Sequence, residues 1–195
     1  MPEDLLQRII SNYHEDYGSL QVKALERQGE DLVIYAAVEL DEDPDLPKRI
    51  RMTCRSYKET NLEPRFYESL HSDREHVLLW HYNQPHIVAT FHGHVEEPLA
   101  VVGALYERHA ELVEGWIPFA KYLNEMPLSE LIRGGFGMLG QGPEPLIVAY
   151  EGVLTSYGVS ISHHPSSPPE NEKVSILMFG ESSYVVAESF SAEAL

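Results

Sequence analysis

The spacing of hydrophobic and polar residues switches near residue 95, from a repeat of two in the segments leading up to it to a helical repeat in the segments that follow. A repeat of two is typical of antiparallel strands with one buried face, because successive side chains of a strand point to opposite sides. Five segments before residue 95 follow this repeat and predict the strands of one antiparallel sheet: residues 20–27, 32–40, 49–57, 76–82 and 86–92.

Helices are predicted where apolar residues recur every three or four positions. After residue 95 this pattern covers residues 98–114 and 145–157, and each segment begins near a proline and is followed directly by a glycine. Proline at a helix start and glycine after its end are ordinary boundary signals. A short helix is predicted over 128–133, and an amphipathic helix over residues 3–16 begins the chain.

The remaining segments are rich in residues that favour turns. Loops are predicted at the acidic residues 41–45, the glycine-rich residues 134–142 and the serine- and proline-rich residues 165–171. The stretch 174–190 predicts a C-terminal hairpin, although residues 183–192 are also compatible with a helix. The predicted fold class is therefore α+β: an antiparallel sheet of five or more strands with helices packed on one face, an N-terminal helix and a C-terminal hairpin.

Length and composition indicate one ordinary globular domain over residues 1–195. Hydrophobic residues make up 43% of the chain and charged residues 23%, which argues against disorder. A single cysteine, Cys54, excludes an intrachain disulfide framework. The first residues are acidic where a signal peptide is basic, and no apolar run approaches the length of a membrane span. The cytoplasm is the expected compartment.

The formal net charge of −17 is the most unusual bulk property of the chain. Such a charge repels nucleic-acid backbones and anionic lipid surfaces, so neither is expected as a partner. It favours solubility or a basic protein partner, and a homodimer is also compatible with the sequence.

Histidine density is the clearest chemical signal, because six of the ten histidines lie between residues 71 and 94. If the strands 76–82 and 86–92 form a hairpin with a three-residue turn, His76, His92 and His94 project from one face. Three imidazoles predict a site for zinc or another transition metal. A turn one residue longer would place His76 opposite Gly93 and break the group. No other cofactor is expected.

Arg49, Arg51 and Arg55 lie on one face of the predicted strand 49–57 and are candidate anion-binding residues. Guanidinium groups recognise carboxylates and phosphates because they donate hydrogen bonds in a planar fork. The competing interpretation, which the sequence favours, is cross-strand ion pairing with the neighbouring acidic strand that ends at Glu39.

Three further features of the sequence are expected to have structural roles only. Residues 135–140 match the pattern G-x-G-x-x-G, but they follow a predicted helix, and no acidic residue stands about twenty positions later, as a dinucleotide site requires. This segment is predicted to be a loop. His109 lies on the apolar stripe of its helix and is expected to be a hydrogen-bonded core histidine. Cys54 shares a face with Ile50 and Met52, so it is expected to be a buried thiol.

No catalytic motif stands out, so the sequence favours a non-enzymatic function. The leading hypothesis is an acidic protein-binding or regulatory module, because the surface charge then has a physical use. One alternative is a metal-dependent enzyme or metal-binding protein that uses the histidine hairpin. Another is a small-ligand-binding protein with its site between the sheet and the loops at 116–143.

Overall fold

The computed structural model describes residues 5–12, 18–40, 45–166 and 173–195. Contacts within the chain divide it into two compact units: Met1–Leu79 together with Lys173–Leu195, and Trp80–Glu172. In chain order the helices and strands are α1 (Leu5–Asn12), β1 (Gly18–Gln28), β2 (Asp31–Leu40), β3 (Arg49–Arg55), β4 (Glu59–Thr60), β5 (Phe66–Tyr67), β6 (Leu70–Asp73), α2 (Trp80–Asn83), β7 (His86–His92), α3 (Pro98–Val113), α4 (Leu128–Gly134), β8 (Phe136–Pro143), α5 (Glu144–Ser156), β9 (Ser160–Pro165), β10 (Ser175–Phe179), β11 (Ser183–Ala187) and β12 (Ser189–Ala194). Short 3-10 helices occupy Val77–Leu79 and Phe119–Tyr122.

The first unit contains two antiparallel sheets that share one core. The larger sheet has the strand order β12-β3-β2-β1-β5, and the smaller has the order β4-β11-β10-β6. Alternation in β3 buries Ile50, Met52 and Cys54, as predicted, while Leu177 and Phe179 of β10 join them in the same hydrophobic cluster. This confirms the predicted antiparallel pairing of the segments that form β1, β2 and β3.

Both ends of the chain belong to the first unit and agree with the predictions. Helix α1 buries Leu6 and Ile9 in the core, so the N-terminal helix is confirmed over residues 5–12. Strands β10 and β11 form the C-terminal hairpin, and β12 continues along the edge of β3. The remainder of the predicted helix 3–16, residues 41–44 of the acidic loop and residues 167–171 of the serine- and proline-rich loop lie outside the described residues.

The second unit packs helices against a three-stranded antiparallel sheet with the order β8-β7-β9. Helix α5 buries Leu146, Ile147 and Tyr150 among others, and α3 buries Val101 and Leu105. The fold class is therefore α+β, as predicted, although its strands form three antiparallel sheets. That the whole chain is a single domain stays a prediction. None of the helices in the described ranges is long and apolar enough to cross a membrane.

The predicted strand at 76–82 is wrong, because this segment is helical. Val77–Leu79 form a 3-10 turn, and α2 follows at once. The turn is held by the His76 carbonyl, which accepts from the Leu79 N–H at 2.9 Å, and Leu78 and Leu79 are both buried. A run of consecutive apolar residues fits a strand or a buried helical turn equally well, so alternation could not decide between them. Strand β7 pairs instead with β8 and β9.

The predicted glycine-rich loop at 134–142 is also wrong, because most of it is strand β8. The glycines allow another segment to lie against the strand. A Cβ at Gly140 would overlap the Tyr122 carbonyl oxygen, and one at Gly142 would lie 2.7 Å from the Tyr122 ring. Glycine within a strand often marks such a close approach. These glycines therefore make room for Tyr122, and a small-ligand site between the sheet and residues 116–143 stays a prediction.

Candidate functional site

The three histidines predicted as metal ligands are not brought together by a hairpin. His76 precedes the 3-10 turn in the first unit, whereas His92 ends β7 and His94 follows it in the second unit. Because residues 77–83 are helical, the strand register that aligned His76 with His92 does not exist. Within the described ranges, no three His, Cys, Asp or Glu side chains come close enough to hold a metal ion. Metal binding itself stays a prediction, without the geometry that suggested it.

The three outward arginines of β3 have different surroundings. The Nη1 atom of Arg51 lies 2.8 Å from Glu193 Oε1 on β12, so cross-strand pairing occurs, but with a different strand from the one ending at Glu39. In the strand register Arg49 is opposite Ala37, and Arg55 is opposite Ser189. Arg51 is therefore paired with a carboxylate, whereas Arg49 and Arg55 each have an uncharged residue opposite them in these registers.

His109 is a buried structural residue, as predicted. Its Nε2–H donates to the Ile117 carbonyl at 2.6 Å, and its Nδ1 lies 2.7 Å from the Tyr150 hydroxyl. A carbonyl only accepts, so Nε2 carries a proton, and in the tautomer with its proton on Nε2 the Nδ1 atom accepts from the Tyr150 hydroxyl. Burial raises the pKa of the Tyr150 hydroxyl, which keeps it a donor. The pair connects α3 to α5 inside the core.

Cys54 is fully buried, in agreement with the prediction. Burial, with a smaller contribution from the Asp31 charge, raises the pKa of its thiol to about 12. Thiolates are the reactive form of cysteine, so this thiol is unsuited to nucleophilic catalysis near neutral pH.

A histidine pair that sequence reasoning missed lies in the second unit. The rings of His81 on α2 and His86 on β7 have centroids 5.1 Å apart, and the His86 Nε2–H donates to the His81 carbonyl at 3.1 Å. Tyr122 stacks on His81 with centroids 6.0 Å apart. The glycines of β8 admit the Tyr122 ring and so complete this cluster.

The environment of the pair favours the neutral form of both imidazoles. Burial is the main cause that lowers the pKa of His81, followed by the positive charge of Lys121 and by His86. Burial also lowers the pKa of His86, against the opposing hydrogen bond to the His81 carbonyl. The pair offers two imidazoles, whereas catalytic zinc sites generally use three protein ligands. A protonation-sensitive cluster is therefore the simplest chemical description of this pair.

The density of histidines between residues 71 and 94 was the available signal for this pair. A spacing of five residues has no meaning in a single helix or strand, because such residues do not share a face. His81 and His86 meet only because a helix, a turn and a strand follow one another between them.

The stability of the second unit is expected to fall as the pH drops below about 6.5, the ordinary histidine pKa. Because folding lowers both pKa values, the unfolded chain binds more protons in this range. The contribution of these two histidines to the free energy of unfolding is fully present above the pKa of the unfolded chain. It is lost as the pH falls through the pKa values of the folded protein. We expect the melting temperature to decrease more from pH 7.5 to pH 5.5 in the wild type than in a His81→Gln/His86→Gln variant. His92 of β7 is exposed, so a His92→Gln variant should behave as the wild type does. Equal decreases in melting temperature in all three proteins would contradict the prediction.

The outer edge of β9 is the second feature of this unit with functional potential. The Ser166 N–H donates to the His86 carbonyl at 3.1 Å, and these two residues continue the β7–β9 register. Hydrogen bonding alternates along an antiparallel pair, so Ile161, His163 and Pro165 direct their main-chain groups away from β7. Pro165 fits this assignment because it has no N–H to donate. We call these outward groups the β9 edge.

The two edges of the sheet differ. Beyond β8, Leu123 forms a bridge with Gly140, and the Asn124 N–H donates to the Leu139 carbonyl at 2.9 Å. Beyond β9, no strand of the described ranges is paired. The β9 edge therefore presents main-chain donors and acceptors that no strand of the described ranges pairs.

The second unit is rich in acidic residues. Residues 80–166 contain nine glutamates and no aspartate, against three basic side chains, Arg108, Lys121 and Arg133. Glu151 of α5 lies beside β9, with its Oε2 3.4 Å from His163 Nε2. Main-chain hydrogen-bonding groups and negative charge thus occur together at this edge.

A scan of protein-family models, a search of curated proteins and a search of solved structures each found no match to the chain.

Proposed function

We propose that the protein is a non-enzymatic protein-binding module, which adds an extended basic segment of a partner to the β9 edge. The single observation that carries the proposal is the outward direction of the main-chain groups of Ile161 and His163. Each residue offers one donor and one acceptor, and Pro165 adds a further carbonyl. An added strand satisfies these groups in the same way as a strand of the sheet itself.

Electrostatics supports a basic segment as the occupant. Residues paired across two strands project from the same face, so a partner residue opposite His163 would lie on the side of Glu151. A lysine or arginine at this position would reach the Glu151 carboxylate, which His163 now contacts at 3.4 Å. The formal net charge of −17 attracts such a segment at separations up to the screening length, which is about 8 Å at physiological salt.

The same charge disfavours a second copy of the chain as the occupant. Pairing β9 with β9 of another molecule would bring together two surfaces rich in glutamate. Like charges in contact make the free energy of association less favourable by several kcal/mol. A basic partner removes that repulsion. The expected occupant of the β9 edge is therefore a basic segment of a different protein.

His163→Pro is expected to weaken binding about tenfold or more, whereas His163→Ala should bind as the wild type does. Proline removes the outward N–H and blocks the approach of another strand, while the bonds between β9 and β7 remain. A loss of about 1.4 kcal/mol corresponds to a factor of ten. The probe is a fluorescent eight-residue peptide that alternates lysine and threonine, measured by anisotropy at about 50 and 300 mM salt, a range over which screening changes strongly.

Two further comparisons complete the experiment. A peptide that alternates glutamate and threonine should not bind. Glu151→Gln should weaken binding of the basic peptide more than Glu130→Gln, which removes the same charge from an exposed position on α4. Equal binding by His163→Pro and His163→Ala, or binding insensitive to salt, would refute the proposal. A change in oligomeric state with His163→Pro would instead identify a second copy as the occupant.

A further inference from the structure

The first unit has a cavity of about 330 Å³ on the outward side of its larger sheet. It is lined by Lys23, Tyr35, Ala36, Ala37, Arg49 and Leu195. This volume is at the lower end of the range for small-molecule sites. None of these lining side chains is acidic, although the formal net charge of the protein is −17. Two cationic side chains thus share a concave surface.

The strand register explains how these cations come to line one cavity. The pairing of β1 with β2 shifts between Val22 and Ala24, which makes Lys23 the extra residue of a bulge. Bulges redirect side chains and are frequent next to functional sites. Arg49 is opposite Ala37 in the strand register, and both residues line the cavity. The bulge thus places Lys23 in the same cavity as Arg49.

Among the described residues, neither Lys23 nor Arg49 forms an ion pair with a glutamate or aspartate side chain. The Lys23 ammonium donates to the side-chain carbonyl of Gln21, which is uncharged. Arg51, two residues along β3, is by contrast paired with Glu193 at 2.8 Å. In a strongly acidic protein, two cations without acidic partners at a cavity favour an anionic ligand.

We infer that this cavity binds a small anion through a carboxylate or phosphate group. The guanidinium of Arg49 donates two parallel hydrogen bonds to such a group, and Lys23 supplies a second positive charge. Tyr35 forms a wall whose hydroxyl donates to Glu26 Oε2 at 3.1 Å, which holds the ring in place. The inference is independent of the proposed function, because it concerns residues of the other unit.

Isothermal titration with inorganic phosphate, and separately with succinate, tests the inference at low salt. Wild-type protein should bind at least one of the two anions, and Arg49→Gln and Lys23→Gln should each weaken that binding about tenfold or more. The matched control is Arg55→Gln, which removes the same charge from the same face of β3 but lies outside the cavity.

The two anions distinguish the ligand classes. Binding of phosphate alone assigns a phosphorylated ligand, and binding of succinate alone assigns a carboxylic acid; either result supports the inference. If Arg55→Gln weakens binding as much as Arg49→Gln, only the general charge of the face matters, and the inference is wrong. It is also wrong if neither anion binds the wild type. All variants replace outward side chains, and circular dichroism checks that they fold.

Discussion

Gly140→Ala is expected to destabilise the second unit by about 3 kcal/mol or more. An added Cβ would overlap the Tyr122 carbonyl oxygen and lie 3.1 Å from the Leu123 Cα. These neighbours are main-chain atoms, and the bridge between Leu123 and Gly140 holds the two segments together. Relief of the overlap therefore requires β8 and the 3-10 helix to separate. Urea unfolding followed by tryptophan fluorescence measures the effect, because both tryptophans, Trp80 and Trp116, belong to this unit.

Gly103→Ala is the matched control, with the opposite expected sign. Gly103 lies inside α3, and a Cβ there would have no atom within 4 Å. Alanine in a helix interior is more stable than glycine by about 0.5–1 kcal/mol, chiefly because the unfolded chain loses freedom. Equal stability of Gly140→Ala and Gly103→Ala would show that the close approach of Tyr122 to β8 does not occur.

His109→Leu is expected to destabilise the second unit by about 3–5 kcal/mol. The substitution removes the acceptor of the Tyr150 hydroxyl and the donor to the Ile117 carbonyl, and both remaining groups are left in the core. Each buried polar group without a partner costs about 1–3 kcal/mol. Tyr150→Phe removes one hydrogen bond and should cost about 1–3 kcal/mol.

The double variant distinguishes a hydrogen-bonded pair from two independent core residues. With both polar groups of the pair absent, His109→Leu/Tyr150→Phe should lose at least about 1 kcal/mol less than the two single losses together. The free energy of unfolding is measured by urea titration with the same fluorescence signal. Strictly additive losses would mean that His109 and Tyr150 do not interact.

Local periodicity predicted the strands and helices whose own hydrophobic residues follow one clear repeat. Alternation in residues 49–55 identified β3 and the burial of Cys54, because a side chain's face in a strand depends only on its position. Helical spacing identified α3 and α5, as well as the buried position of His109. These features depend on neighbours a few residues away, which a single sequence records directly.

Contacts between distant residues decided the rest. Residues 76–82 contain a short apolar run that fits either period, and packing of Leu78 and Leu79 makes it helical. Residues 136–143 are rich in glycine, which is typical of loops, yet they form β8 because Tyr122 occupies the space the missing side chains leave. Local composition could not reveal a partner on another segment.

The candidate sites divide in the same way. The sequence by itself determined the acidic charge, the density of histidines and the outward face of Arg49, Arg51 and Arg55, because these depend on composition and alternation alone. Only the tertiary structure decided that Arg51 pairs with Glu193, that Arg49 and Lys23 share a cavity, and that β9 has an unpaired edge within the described ranges. The physical reason is that strand order, bulges and registers are set by long-range pairing, and one shifted residue changes which side chains meet.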